Sequence, residues 1–211
     1  AVTTAEVART AVFTLGTNRV YILNETGEIV DNCQKRPQRL FEERELSVDE
    51  CAGYLQKAIN LLKSQTAASG SSEGTLKVII TVSPIRYAKY GYHGSQLSKA
   101  TLLLAADKLV KENPGVVSYF PAYEIMNDEL RDYRFYKEDM LHPSQQAVEY
   151  IWERFRATYF GKAAEQFLED WRPIREALGH KPFHPESEEH QKFIARTEEK
   201  KRQFEEKYHL L

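Results

Sequence analysis

The chain has 211 residues, with 29 Lys and Arg against 31 Asp and Glu, 42% hydrophobic and 28% charged. That length gives one compact domain a real core and is too short for two comfortable ones. The near-even charge argues against broad nucleic-acid or anionic-membrane binding, and no stretch approaches the roughly 18 apolar residues of a membrane span. Cys33 and Cys51 form no CxxC pair, which argues against a disulfide scaffold and a cysteine zinc site. The opening AVTTAEVARTAVF shows no basic n-region or apolar h-region, and with two unpaired cysteines cytoplasmic placement is the default expectation.

In chain order, Thr10–Leu15 (TAVFTL) is a β-rich run closed by Gly16, the pattern of a buried strand. Arg19–Leu23 and residues 28–32 flank Asn24-Glu25-Thr26-Gly27 and read as a hairpin with a four-residue loop. Ser47-Val48-Asp49-Glu50 fits a capping box. Behind it Cys51, Tyr54, Leu55, Ala58, Ile59 and Leu62 recur at helical spacing, predicting a helix over 48–64. Residues 67–74 (AASGSSEG) read as a flexible loop. Residues 76–82 (LKVIITV) suit a strand covered on both faces. A second helix is expected over 96–112, with Leu97, Ala100, Leu103, Leu104, Leu109 and Val110 on its apolar side and Asn113-Pro114-Gly115 ending it. Residues 116–120 (VVSYF) are a third buried strand, stopped by Pro121. Three helical patterns close the chain, over Gln145–Tyr159, 162–178 and 185–208, the last a charged, solvated surface helix.

Strands alternating with helices predict a parallel sheet with crossover helices. The division expected is an α/β domain over 1–160 and a helical C-terminal extension over 161–211. Ligands of open α/β sheets bind at the carboxyl ends of the strands. The segments to weigh are therefore Gly16-Thr17-Asn18, Ser83-Pro84-Ile85-Arg86 and Pro121-Ala122-Tyr123-Glu124, together with Asp139-Met140-Leu141-His142-Pro143-Ser144 before the helix at Gln145.

A carboxylate three residues before an imidazole can accept its Nδ1–H and stabilise the imidazolium, leaving Nε2 to take a proton from a nucleophile. Asp139 and His142 have that spacing. The alternative is a turn capped by Asp139 with an ordinary, partly buried histidine. Ser83 stands either as a nucleophile or as a Ser-Pro turn closing its strand, and no nucleophile-elbow glycines flank it. Arg86, Arg131 and Arg134 either clamp an anionic substrate or pair with Asp128, Glu129 and Asp132. Tyr133, Phe135 and Tyr136 either stack on a sugar or pack a core. His180, His184 and His190 match no metal-binding signature; the His-Lys-Pro and His-Pro contexts read as loop turns and the roles as structural or incidental, and Cys33 reads as an unreactive buried thiol.

The DxxHP segment before a helix, with G-x-N after one strand and Ser-Pro after the next, resembles the last block of the SGNH (GDSL-like) hydrolases. FTLGT (13–17), NCQKRP (32–37), TVSPIR (81–86), YFPAYEI (119–125), DELRDYRFY (128–136), DMLHPS (139–144) and HKPFHPES (180–187) are similar to the GSCFA family over nearly the whole chain. The resemblance implies a three-layer α/β/α, SGNH-like (flavodoxin-like) parallel sheet, incomplete at its N-terminal strands, with added C-terminal helices. It implies a nucleophilic serine within a Gly-Ser-Cys-Phe-Ala motif upstream of this chain's first strand. His142 would then be the general base, Asp139 its orienter, and Gly16 and Asn18 the oxyanion side, with Arg86 toward the substrate.

This sequence departs from the family pattern at Arg19, where SGNH enzymes usually have Asp after G-x-N, and at Tyr87 and Gln34, where GSCFA proteins often have His. The resemblance further implies that a missing N-terminal segment or another chain completes the sheet, and that residues 1–211 alone hydrolyse no ester. The expected activity is acyl-ester hydrolysis on a small-molecule or carbohydrate ester. A non-catalytic SGNH-like binding module and an O-acyltransferase are the alternatives. No cofactor or metal is implied.

Overall fold

The structure is a computed structural model that describes residues 9–30, 33, 35–68, 76–180 and 186–210. The chain divides into two units, Ala1–Ile151 and Trp152–Leu211.

In the first unit, β1 (Thr10–Leu15), β5 (Lys77–Val82) and β6 (Val117–Phe120) form a parallel sheet in the order β1-β5-β6. Val12 lies beside Ile79, and Ile80 beside Tyr119. β2 (Arg19–Leu23), β3 (Ile29–Val30) and β4 (Phe41–Glu45) make a separate antiparallel sheet in the order β3-β2-β4. The predicted hairpin is its first half, turned at Gly27 with φ 69° and closed by Leu23 N donating to the Glu28 carbonyl at 2.9 Å. β4 is an addition to the sequence expectation. Its run FEERE holds four polar residues in five, yet pairs along the whole of β2.

α1 (Val48–Ala68) begins at the predicted capping box: Ser47 N donates to Glu50 Oε2 at 2.9 Å and Glu50 N to Ser47 Oγ at 3.2 Å. α2 (Gly91–Glu112) starts five residues before the expected position, and Asn113 and Gly115 (φ 76°) end it. Both helices cover one face of the parallel sheet, where Ile59, Val78, Ile80, Val82, Leu102, Ala105 and Leu109 form the core. Beyond β6, α3 (Ala122–Glu124) packs beside β5 and runs into a π-helical turn, Ile125–Leu130, which ends at Arg131 with φ 48°. A second small core joins Met126, Phe135, Tyr136 and Ala147 of α4 (Gln145–Tyr159). A parallel sheet flanked by helices is the α/β/α arrangement expected.

Two expectations need correction. β1 is not buried: its residues alternate between exposed and half-buried, and Val12 keeps 50% of its surface. The strand is at the sheet edge, with Phe13 and Leu15 on the helical core and Thr10, Val12 and Thr14 on the opposite face. On α2, Leu97 and Leu104 are exposed at 56% and 58%, and the buried stripe is Ser95, Ser98, Lys99, Leu102, Ala105, Ala106 and Leu109. Those positions follow a strict helical repeat, and the stripe begins polar because its first turn lies under the loop after β1 rather than under the sheet.

The second unit holds the end of α4 and two further helices, α5 (Lys162–Gly179) and α6 (Glu188–Lys207). Phe204 meets Phe167 and Trp171 with ring centroids 4.9 and 5.1 Å apart, and Asp170 accepts from Lys207 Nζ at 2.5 Å and Tyr208 Oη at 2.7 Å. α6 is largely exposed, the solvated helix expected from its charges. Among the described residues no helix is long and apolar enough to cross a membrane. Most of the predicted loop over 67–74 lies outside the described residues.

Candidate functional site

The segment joining the second small core to α4 is held at both ends by backbone bonds. Lys137 N donates to the His142 carbonyl at 2.8 Å, Ser144 N to the Phe135 carbonyl at 2.7 Å, and Pro143 bridges Tyr136. Between these clamps the chain turns through Met140 in the left-handed region, φ 59°. The turn folds the Asp139 side chain over Leu141 and His142. Its Oδ1 accepts from Leu141 N at 2.9 Å and His142 N at 3.0 Å, while Oδ2 lies 2.6 Å from His142 Nδ1. The two backbone N–H groups, and then the imidazole, hold the Asp139 carboxyl down at about 2. It is therefore a carboxylate at any ordinary pH, which assigns the imidazole proton to Nδ1 and leaves the Nε2 lone pair free for a new proton. The His142 side chain is half exposed, at 50%.

This turn sits at the carboxyl end of β5. Arg86, four residues past the strand, donates its backbone N to the Leu141 carbonyl at 3.1 Å and Nη1 to the Met140 carbonyl at 3.4 Å. Ser83 N donates to the Leu15 carbonyl at 2.8 Å, and its Oγ accepts from Ile85 N at 3.3 Å, the turn-closing arrangement. Tyr87 carries the connection to β1. Its Oη lies 2.5 Å from where a side chain on Gly16 would begin, so the phenol covers the Gly16 backbone at a distance only glycine permits.

Beneath Gly16-Thr17-Asn18 is the polar start of the α2 stripe. Asn18 N donates to Ser98 Oγ at 2.9 Å, Thr17 Oγ1 lies 3.1 Å from the same oxygen, and Asn18 Nδ2 donates to the Leu46 carbonyl at 2.8 Å. Asn18 is buried, 6% exposed, with its amide bonded to the strand–helix connection. Lys99 is 2% exposed and donates Nζ to the Gly16 carbonyl at 2.6 Å. With no carboxylate beside it among the described residues, burial pushes its pKa down to about 8. Arg19, the departure from the Asp pattern, belongs to the antiparallel sheet, paired with Glu45 and lying over the Tyr90 ring at 4.1 Å.

The remaining candidates separate. Tyr123 Oη is bonded to Gln96 at 2.5 Å and Tyr119 Oη to Glu124 at 2.8 Å, so the polar groups after β6 are engaged within the fold. Phe135 and Tyr136 are core residues, whereas Tyr133 is 66% exposed. Of the two alternatives for Arg86, Arg131 and Arg134, the ion-pair network with Asp128, Glu129 and Asp132 is not seen: none of the three forms an ion pair among the described residues. Asp132 instead caps the following turn through Arg134 N at 2.8 Å. Arg86, Arg131, Tyr133 and Tyr136 line a cavity of about 180 Å³. Cys33 is half-buried rather than buried, and Cys51 is buried, which raises its thiol pKa. The His180 and His190 rings approach Phe193 at 5.6 and 6.3 Å, while Gln34 and His184 lie outside the described residues. Among the described residues no group of three or more His, Cys, Asp or Glu is placed to hold a metal ion.

Lys99, Ser98 and the Tyr87–Gly16 approach are not among the candidates that the sequence marks. The signal for the first two was present: Ser95, Ser98 and Lys99 share the repeat of Leu102, Ala105 and Leu109. Nothing local marks Tyr87, whose contact spans 71 positions of chain, from residue 16 to residue 87. Comparison with known proteins gives two matches. Residues 2–155 match the model described as GSCFA family, and residues 171–211 the one described as GSCFA domain protein, C-terminal domain. No curated protein and no solved structure matches the chain.

Proposed function

The chain belongs to the GSCFA family, and from that premise we propose that it carries the acid–base half of an SGNH-type esterase. In this reading, His142 Nε2 takes the proton of a serine hydroxyl supplied from outside residues 1–211 as its oxygen attacks the ester carbonyl carbon. Asp139 keeps the imidazole in the required tautomer and stabilises the imidazolium. When the tetrahedral adduct collapses, the alcohol leaves with the proton from Nε2, and water completes the cycle by the same route against the acyl-serine. Gly16 and Asn18 are assigned to the oxyanion side in this reading, supported by the Asn18 amide bond to the Leu46 carbonyl that fixes the turn after β1.

The observation that carries this reading is the Asp139–His142 pair: a carboxylate fixed by two backbone N–H groups, 2.6 Å from Nδ1 of a half-exposed imidazole. A turn cap alone needs the backbone bonds and not the ring. The test is labelling by a fluorophosphonate probe of a longer GSCFA protein that includes both the Gly-Ser-Cys-Phe-Ala segment and these residues. A single serine is expected to label, with His142→Ala suppressing the rate. A serine that stays inert, or one that labels equally well without His142, overturns the proposal in favour of a binding module.

A further inference from the structure

The cavity beside the Asp139–His142 turn has a chemistry of its own. Two of its lining residues, Arg86 and Tyr136, bond directly to the turn, through the Leu141 carbonyl and the Pro143 bridge. The Arg86 guanidinium lies 3.9 Å over the Tyr136 ring and 5.6 Å from that of Tyr133, half-buried, with one weak carbonyl contact and no carboxylate partner among the described residues. Arg131 stands on the same cavity at a left-handed helix end, its guanidinium without an ion pair among those residues. A guanidinium stacked over one aromatic ring keeps its planar fork oriented, with its edge free to receive a carboxylate bidentately.

The other groups call for hydroxyls. Asn127 donates Nδ2 to the Tyr123 carbonyl at 2.7 Å, which leaves Oδ1 as an acceptor. Asp132 spends one oxygen on Arg134 N and keeps the other. Two arginines against one aspartate leave a single positive charge, which suits a monoanion. Tyr133, 66% exposed at the rim, offers the aromatic face on which sugar rings stack. At about 180 Å³ the space is smaller than the roughly 300–1,000 Å³ of drug-sized sites, the scale of one ring.

We infer that this cavity is a subsite for a carboxylated monosaccharide, the acidic sugar unit of the ester on which the Asp139–His142 pair acts. The assignment to a substrate rests on the esterase reading, but binding to the cavity does not require turnover. The test is calorimetric titration of the 211-residue chain with methyl glucuronide, methyl glucoside and acetate. Methyl glucuronide is expected to bind, with the neutral glucoside and acetate each at least 10-fold weaker. Arg131→Gln, at a side chain that forms no ion pair among the described residues, is expected to abolish the preference for the acid, and Arg86→Lys to weaken it while keeping the charge. Equal binding of the two sugars, acetate competing as well as the glucuronide, no binding of the glucuronide, or an unchanged preference in Arg131→Gln would each overturn the inference. Glucuronide binding by a protein whose serine never labels would sink the esterase reading alone. A labelled serine without glucuronide binding would sink this one alone.

Discussion

At Gly16 a single missing carbon keeps the site together. A methyl there would meet the Tyr87 hydroxyl at 2.5 Å while staying 3.6 Å from the ring carbon that bears it. Gly16→Ala is therefore expected to cost about 1–3 kcal/mol by overpacking. Tyr87→Phe in the same chain should recover most of that loss, because only the hydroxyl is in the way. Urea unfolding of the two single variants and the double variant measures the coupling, and additive effects would show that the phenol is not what excludes the side chain.

Lys99, directly beneath, gives a pH signature. Folded, it titrates at about 8; in an unfolded chain, near 10.4. Between those values the unfolded state holds the proton and the folded state does not. Stability from this group therefore rises as pH climbs from about 8 to about 10.4, and its cost is fully present below that window. Each pKa unit corresponds to about 1.4 kcal/mol. The unfolding free energy of the parent chain is expected to gain on that of Lys99→Met over this range. Parallel curves would place the Lys99 amine in water.

Among the elements, α2 shows what a sequence conceals. Leucine is its most frequent apolar residue, and counting leucines puts Leu97 and Leu104 on the inner face; the structure puts them in solvent. Leu104→Gln is expected to change stability by less than about 0.5 kcal/mol, and Leu102→Ala to cost about 2–5 kcal/mol. Thermal melts of the two variants check this, and a reversed order would restore the leucine face.

Elsewhere local signals sufficed. The Ser47–Glu50 box, the β-branched run of β5, the start of α4 at Gln145 and the three-residue spacing of Asp139 and His142 each act through neighbours in sequence. β4 was illegible because its strand character comes from pairing with β2 and from ion pairs such as Arg19 with Glu45, not from its own composition. The exposure of β1 is likewise a property of its place in the sheet. TAVFTL reads the same at an edge as at the centre.

For the whole molecule, the edge and the site pose the same question. β1 is paired on one side only among the described residues, and Thr10, Val12 and Thr14 lie on the face away from α1 and α2. An open parallel edge is a template for another strand. In our reading, the segment that brings the serine supplies it, so completing the sheet and completing the triad are one event. Residues 1–211 alone are then expected to turn over no aryl acetate.

The most direct measurement is kcat/KM for an aryl acetate with a longer GSCFA protein that contains both the serine segment and these residues, beside its His142→Ala variant. Removing the general base should lower kcat by roughly 10³-fold or more and leave KM nearly unchanged, since the imidazole acts on the reacting proton rather than on substrate binding. A variant that hydrolyses the ester at the parent rate would contradict the assignment of His142 and, with it, the account of the site.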